Sequence, residues 1–410
     1  MDEVCEGLGT PVEATVRLDT SPELDAFRAR VRAFISDHAP GIKTHTGVRA
    51  PEPELVPAIR AWTAQLYAEG FLGIGWPEQY GGRPDAHPLE AFIVAEELTR
   101  ARTWEPIGAA SLAAAAVIEY GTEEQKDHFL PRIRGAADIW CQLFSEPGAG
   151  SDLAALSTRA RREGDEFVVD GQKVWTTNGQ HADVGYLLAR TDPEAPRHKG
   201  ITAFALDMRA PGVDIRPLRE ITGTTDFNEV FLDGVRIPAD RVIGEVDDGW
   251  RVAMSSLAHE RTGVAGHAAE LFLYLDDVLG VAANATVAGR PALDDASVRR
   301  DIGRLATRVH VNNLMNKLQQ SQMLAGREDP AAAPLGKIFF GETNLALAEF
   351  GMALQGTDAL LTEGDSGSVA DGWWQDAFLY ARAYTIAGGA NEVLRTVVAE
   401  RALGLPREPR

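Results

Sequence analysis

Apolar residues in this chain change their period twice along its length, and that alternation constrains the fold more than any single motif. From Pro22 to about Gly135 they recur at helical spacing, as in Leu24, Phe27, Val31 and Phe34, or in Phe92, Ala95 and Leu98. Thr122-Glu-Glu-Gln125 has the spacing of a capping box and predicts a further helix start. Between about Asp138 and Gly244 the runs shorten. Phe167-Val-Val169, Val174-Trp-Thr176, Tyr186-Leu-Leu188, Ile201-Thr-Ala-Phe204 and Val230-Phe-Leu232 are β-formers bounded by Gly, Asp or Pro. Asp170-Gly171 predicts a tight hairpin between two of them. No long helical pattern interrupts these strands, which favours an antiparallel sheet over a doubly wound one. From Trp250 the helical period returns, with Ile302, Leu305, Val309 and Leu318 assigned to one face and Val393, Leu394, Val397 and Val398 to another. Gly404 and Pro406 end the last helix, while Ala331-Ala-Ala333 between two prolines reads as a loop. The expected fold is mainly α with a central β-domain, divided at 21–137, 138–243 and 244–405.

Composition narrows the function classes. With 45% hydrophobic and 24% charged residues the chain is ordinary globular material, and no apolar run approaches the ~20 residues of a membrane-spanning helix. The longest candidate, Gly108 to Ile118, is mostly alanine. Met1, Asp2 and Glu3 are acidic or neutral where a secretory signal would be basic, and only Cys5 and Cys141 occur, so a reducing, cytoplasmic setting without a disulfide framework is expected. The formal net charge of −20 repels nucleic acid and anionic lipid. An anionic ligand would need a local pocket of the opposite character.

Several chemistries lack their residues. There is no G-x-x-x-x-G-K-[ST], and no G-x-G-x-x-G falls between a strand and a helix. His259-Glu260 begins an H-E-x-x-H pattern, but Gly263 stands where the second zinc ligand is required, so no metal site is assigned. Gly364-Asp-Ser-Gly367 looks like a serine-protease nucleophile loop but lies between helical stretches, and reads as a surface turn. Two segments remain informative. In Phe144-Ser-Glu-Pro-Gly-Ala-Gly-Ser-Asp152 a tight turn offers backbone N–H groups and the hydroxyls of Ser145 and Ser151 to a phosphate or a flavin edge. Trp175-Thr-Thr-Asn-Gly179 offers a planar aromatic and hydroxyls at a strand end, suited to a flat heteroaromatic group. The plainer alternatives are a Gly-rich turn and a core tryptophan.

Taken together, these segments resemble the acyl-CoA dehydrogenase family over nearly the whole chain. The resemblance also rests on Phe71-Leu-Gly-Ile-Gly-Trp-Pro-Glu-Gln-Tyr-Gly-Gly82, Asp170-Gly-Gln-Lys-Val-Trp-Thr-Thr-Asn178, Phe227-Asn-Glu-Val-Phe231 with Val235-Arg-Ile-Pro238, and Gly388-Gly-Ala-Asn-Glu392 with Glu400-Arg-Ala-Leu-Gly404. It implies an N-terminal helical domain, a middle antiparallel β-barrel-like domain and a C-terminal four-helix bundle. It implies FAD between the last two, with Gln142, Phe144, Ser145, Gly150 and Ser151 along the flavin and phosphopantetheine paths and Trp175 and Thr177 at the isoalloxazine.

The implied reaction is α,β-dehydrogenation of an acyl-CoA thioester: a carboxylate removes the α-proton while a hydride leaves the β-carbon for the flavin. The weakly acidic α C–H requires preorganised donors on the thioester oxygen. Many family members place the base directly before a Gly-Thr near the C-terminus, a slot that reads Gly388 here. Isovaleryl- and long-chain-type members place it before an Arg on a helix of the C-terminal domain. That slot reads Glu260-Arg261, which makes Glu260 the candidate base, with Ser151, Arg261, Gly388 and Gly389 around the substrate. A solvated charge pair is the plainer account of Glu260 and Arg261.

One set of departures concerns partners. Family members reach across a dimer interface to the FAD pyrophosphate and adenine with an Arg-x-x-Phe-Gly segment and a later Gln before Gly-Gly. The corresponding positions read Ala285, Ala288 and Gly289, and then Ala353 with Thr357 in place of the second Gly; Ala390 replaces the usual C-terminal Thr. The resemblance therefore implies a heterotetramer with a second acyl-CoA dehydrogenase-like subunit, and electron-transfer flavoprotein as acceptor. The alternatives are a non-catalytic partner subunit and a superfamily flavin oxidase or monooxygenase.

Overall fold

The computed structural model describes residues 21–42, 44–259, 263–327 and 329–407. The chain opens with α1 (Pro22–His38), whose start is set by the Ser21 hydroxyl accepting from the Leu24 N–H at 3.4 Å and by Pro22 in the first turn. With α2 (Val56–Ala68) and α3 (Leu89–Arg100) it buries Phe27, Val31, Trp62, Leu66, Phe71 and Ile93 in one core. The alanine-rich run is α4 (Ala110–Tyr120), packed inside the protein. The expected capping box opens α5 (Glu123–Arg134): the Gln125 N–H donates to the Thr122 hydroxyl at 3.2 Å, and the Thr122 N–H donates to the Gln125 side chain at 3.1 Å.

Eight strands follow: β1 (Trp140–Leu143), β2 (Arg159–Glu163), β3 (Glu166–Thr177), β4 (Val184–Arg190), β5 (Ile201–Asp207), β6 (Val213–Leu218), β7 (Phe227–Pro238) and β8 (Val242–Ile243). Their order is β6-β7-β3-β2-β4-β5-β8, with β1 paired to β4. The sheet is antiparallel except where β4 meets β1 and, at one residue pair, β2. β4 is buried on both faces. Tyr186 and Leu188 point toward α4 and α5, while Leu187 and Ala189 join Val169, Phe204, Val230 and Val235 in the domain's own core.

One turn differs from expectation. The chain does not fold back at Asp170-Gly171, because β3 continues through both residues with a register shift against β7. The hairpin lies earlier, at the two-residue turn Gly164-Asp165 between paired Glu163 and Glu166, where Gly164 adopts φ +66°. Gly171 is required for a different reason: a Cβ there would lie 2.4 Å from the Thr158 hydroxyl and 2.8 Å from its Cα.

Helix α6 (Gly249–His259) leads to a bundle of α7 (Gly263–Asn284), α8 (Ala296–Leu324) and α9 (Ala332–Gln355), closed by the shorter α10 (Trp373–Tyr380), α11 (Ala383–Ile386) and α12 (Asn391–Val397). A small hairpin, β9 (Thr286–Val287) and β10 (Arg290–Pro291), joins α7 to α8. Leu271, Val278, Leu305, Val309, Leu347 and Trp374 form its core. Leu318 is 39% exposed rather than buried with Val309. Nine residues at about 100° each carry it to the opposite side of α8. Val393 is likewise exposed, and Ala331-Ala-Ala333 is the start of α9 rather than a loop. Pro334 falls in the first turn of that helix, where its missing N–H costs nothing. No helix among the described residues is long and apolar enough to cross a membrane.

Arg49 ties the three parts together. Its guanidinium bonds Asp226 before β7 at 3.1 Å and Asp376 of α10 at 2.7 Å, and lies 4.5 Å over the Tyr380 ring.

Candidate active site

Two segments of the middle domain are held side by side by a buried ion pair. Lys173 of β3, fully buried, donates from Nζ to Glu146 at 2.8 Å and to the Phe144 carbonyl at 3.0 Å. Glu146 also accepts from the Ser157 N–H at 2.6 Å, the Ser157 hydroxyl at 2.7 Å and the Thr158 N–H at 2.9 Å. Every charge-bearing atom of the pair is thus matched, the condition under which a buried pair is tolerated. Burial alone would raise the Glu146 carboxyl, but Lys173 and these donors overcome it and hold it at about 2. Burial draws the Lys173 ammonium down to about 8 against the pull of Glu146.

This pair fixes the Ser145–Ser151 turn against the strand that carries Trp175. The Val174 N–H donates to the Ser145 carbonyl at 2.9 Å, and Glu146 and Ala149 exchange two backbone bonds of 3.0 Å that close the turn. Among the described residues no partner takes the N–H groups of Gly148, Gly150 or Ser151, and both glycines face open space. Such a turn, with its carboxylate turned inward and neutralised, presents donors to an anion. A bulge between Lys173 and Thr176 then puts Trp175 at φ +59° and leaves it 60% exposed, with its ring edge on Phe227 at 6.0 Å. The core-tryptophan alternative is set aside by that exposure. Buried apolar area is the usual reason to keep a Trp, so an exposed one on a strained backbone marks a contact surface.

The remaining candidates divide. Ser145 and Thr177 are half-buried beside this turn, Ser151 and Gly150 are exposed on it, and Gln142 lies half-buried on β1. The Phe144 side chain is buried against Tyr186, ring centroids 5.0 Å apart, so only its backbone faces the turn. Gly388 and Gly389, at φ +64° and +94°, form the loop between α11 and α12. Lys337 Nζ holds that loop through the Gly389 carbonyl at 2.7 Å and Asn391 at 3.0 Å. Glu260 and Arg261 lie outside the described residues.

Sequence reasoning missed two sites. One is a buried polar cluster around Glu270 of α7, to which Tyr384 donates at 3.1 Å. The hint was a lone carboxylate within the apolar run Ala268-Ala-Glu-Leu-Phe272. The other is a cleft of about 620 Å³ where the ends of α7, α9 and α10 meet, lined by Arg102, Asp276, Asp277, Ala285, Gln355 and Asp358. Of the departures noted above it is lined by Ala285, and Leu354 and Gln355, next in sequence to Ala353, also line it. Among the described residues its single lining cation is Arg102, which is engaged by Asp277 at 2.5 Å.

Comparison with known proteins agrees with this architecture. Residues 21–136, 141–235 and 247–403 match the family models for the acyl-CoA dehydrogenase N-terminal, middle and C-terminal domains. Acyl-CoA dehydrogenase IpdE1 of Mycobacterium tuberculosis is 36% identical over 94% of this chain and 99% of its own length. Among solved structures, a chain of the Tcur3481-Tcur3483 steroid ACAD superposes with a TM-score of 0.82 at 31% identity, covering 96% of this chain and all of the other. The ChsE4-ChsE5 complex of Mycobacterium tuberculosis contributes a chain with the same score, identity and coverage. With three domain models in order along it and a full-length relative at this identity, the chain belongs to the acyl-CoA dehydrogenase family.

Proposed function

We propose that this chain is the FAD-dependent subunit of an acyl-CoA dehydrogenase that carries the catalytic base, Glu260, and the isoalloxazine side of the site. The observation that carries the reading is the exposed, positive-φ Trp175 locked beside a donor-rich turn by the Lys173–Glu146 pair. That donor set suits the cofactor: Gly148, Gly150 and Ser151 offer N–H groups without protein partners, and Trp175 offers a flat apolar face. Ser145, Ser151, Trp175 and Thr177 would hold the flavin, and Gly388 and Gly389 would let the substrate approach the backbone. A bound flavin supplies the two-electron oxidation of the acyl group, and electron-transfer flavoprotein is the acceptor we assign to it. Glu260 takes the α-proton; enclosure with an apolar acyl group would raise its pKa toward the working pH.

The same reading makes the functional particle heteromeric, with a second acyl-CoA dehydrogenase-like subunit. The cleft beside Ala285 and Gln355 presents Asp276, Asp277 and Asp358 with Arg102 already paired, which repels a pyrophosphate. The similar Tcur3481-Tcur3483 steroid ACAD and ChsE4-ChsE5 complex each carry two chain names, which supports it. The test is expression alone and with a candidate partner, followed by flavin-to-protein stoichiometry and an acyl-CoA screen with a dye acceptor. One FAD per pair of unlike chains and dye reduction by an acyl-CoA are expected. A homotetramer with one tightly bound FAD per chain would overturn the heteromeric part, and rapid reaction of the reduced protein with oxygen would point to an oxidase.

A further inference from the structure

Between α1 and α2 the chain passes through Thr46-Gly-Val-Arg49 without helix or strand, yet Thr46 and Arg49 are both buried. This segment is pressed onto the end of α10. A Cβ at Gly47, which adopts φ +79°, would lie 1.9 Å from the Tyr380 ring, and the Val48 N–H donates to the Tyr380 hydroxyl at 2.9 Å. Each nitrogen of the Arg49 guanidinium is engaged. Nε donates to the Thr46 carbonyl at 2.7 Å, Nη1 to Asp226 at 3.1 Å and to the Thr224 hydroxyl at 3.2 Å, and Nη2 to Asp376 at 2.7 Å. The other oxygen of Asp226 accepts from the Ala50 N–H at 2.7 Å, so this carboxylate is gripped through both oxygens by adjacent residues.

The grip on Asp226 reaches the Trp175 segment by two short routes. The Asp226 carbonyl accepts from the Asn178 N–H at 3.1 Å. The next residue, Phe227, pairs with Thr177 in the β3–β7 ladder and meets the Trp175 ring edge-on. Trp175 at φ +59° holds a conformation that a bulky side chain adopts only under constraint from its surroundings. On the other side Asp376 and Tyr380 belong to α10, from which α11 leads into the Gly388–Gly389 loop. One side chain therefore joins the strand end of the middle domain to the helices of the bundle. A cation buried between carboxylates gains little stability over apolar packing, because desolvation offsets the attraction; its planar fork of directed bonds supplies fixed geometry instead.

We propose that Arg49 is a positioning residue for the dehydrogenation, holding Asp226 to α10 and thereby setting where Trp175 and Thr177 stand against the flavin, an inference that rests on the reading of those two residues given above. Arg49 acts through Asp226 and Phe227 rather than on the reacting groups. Lysine is no substitute, because one compact ammonium cannot span two carboxylates from different domains while lying flat on Tyr380, whose ring the guanidinium covers at 4.5 Å.

The test uses the flavin-loaded complex and compares Arg49→Lys and Asp376→Asn with Glu97→Gln. Glu97, buried between α1 and α3 with Arg28 at 2.7 Å and Arg32 at 2.8 Å, controls for the loss of stability alone. Arg49→Lys should lower kcat about 10- to 100-fold with KM unchanged within about twofold, as misplacement of reacting groups does. It should also shift the flavin absorption spectrum and speed hydrogen exchange in the peptide covering residues 175–178. Asp376→Asn, which keeps an acceptor oxygen, should show the same three changes in smaller degree, whereas Glu97→Gln should melt earlier and show none of them. An Arg49→Lys protein that melts earlier but keeps its kcat, spectrum and exchange would make Arg49 a structural tie and overturn the proposal. If Arg49→Lys yields no folded protein, unchanged kcat and exchange in Asp376→Asn overturn it equally. Faster exchange over 175–178 in Arg49→Lys, together with a flavin spectrum unmoved in Trp175→Ala, would instead uphold the hold of Arg49 on this strand and overturn the cofactor reading.

Discussion

The Ser145–Ser151 turn and the cleft beside Ala285 are two places, among the described residues, where this chain could meet a phosphorylated cofactor, and they are built with opposite electrostatics. In the turn the one carboxylate, Glu146, points inward and is neutralised by Lys173, which leaves backbone donors facing out. In the cleft the carboxylates of Asp276, Asp277 and Asp358 line the open surface, and Arg102 is bound to one of them. Both sit on a chain of net charge −20. Anion binding on such a background is decided by where a few carboxylates point, because at close range local charge and donors outweigh the overall field. On the function proposed above, the two regions would divide the work between subunits, the turn holding a flavin and the cleft none.

The sharpest way to separate cofactor holding from chemistry is Glu260→Gln. The turn proposed to hold the flavin is untouched, so the yellow colour should persist, while turnover should fall about 10²- to 10⁴-fold, the range for a positioned general base. Near-normal turnover with an acyl-CoA and dye acceptor would move the base elsewhere. Next in size is the ion pair under the turn. Glu146→Gln leaves Lys173 buried without its partner and should cost about 3–5 kcal/mol in urea unfolding. The sign with pH follows from the folded carboxyl at about 2 against its ordinary 4.5: the stabilisation is present above about pH 4.5 and is lost as the pH falls from there toward 2. In Glu146→Gln that part of the acid dependence should flatten. An unchanged slope between pH 5 and pH 3 would deny the pair its role.

These features differed in how far the sequence revealed them. The capping box at Thr122 was legible because both partners lie within one turn of helix. The Ser145 turn and the Trp175 strand were legible as family motifs, but the residue pair joining them, Lys173 and Glu146, was not singled out. Asp170-Gly171 misled because the same dipeptide serves a hairpin or a bulge, and the steric demand of Thr158 on Gly171 is a tertiary fact. Arg49 bridges segments more than 170 and 320 positions apart, at Asp226 and Asp376, and no local spacing announces such a contact. Leu318 was misplaced by extending a helical stripe without following its rotation.

A smaller effect is expected at the surface of the turn proposed to hold the cofactor. Trp175 is 60% exposed, so Trp175→Ala should change unfolding stability by no more than about 0.5 kcal/mol. Flavin affinity should nevertheless drop about tenfold, with a shifted flavin spectrum, because a flat aromatic contact is lost. Unchanged affinity and spectrum would place the flavin elsewhere and erase the contrast between turn and cleft.

The smallest effect belongs to the cleft, and its smallness is the point. Arg102 and Asp277 form a pair at 2.5 Å with side chains 41% and 32% exposed, a class of contact worth about 0–1 kcal/mol. Asp277→Ala should therefore leave unfolding stability almost unchanged. It also frees the Arg102 guanidinium and removes one of the cleft's carboxylates, which makes the cleft less hostile to phosphate. If the neighbouring subunit's flavin were docked there, that gain in local positive charge should raise flavin retention during dialysis. If the cleft holds no flavin, retention and stoichiometry in the complex should match the unsubstituted protein. A clear increase in bound FAD per chain would show that both regions meet a cofactor, and the division of work between unlike subunits would have to be abandoned.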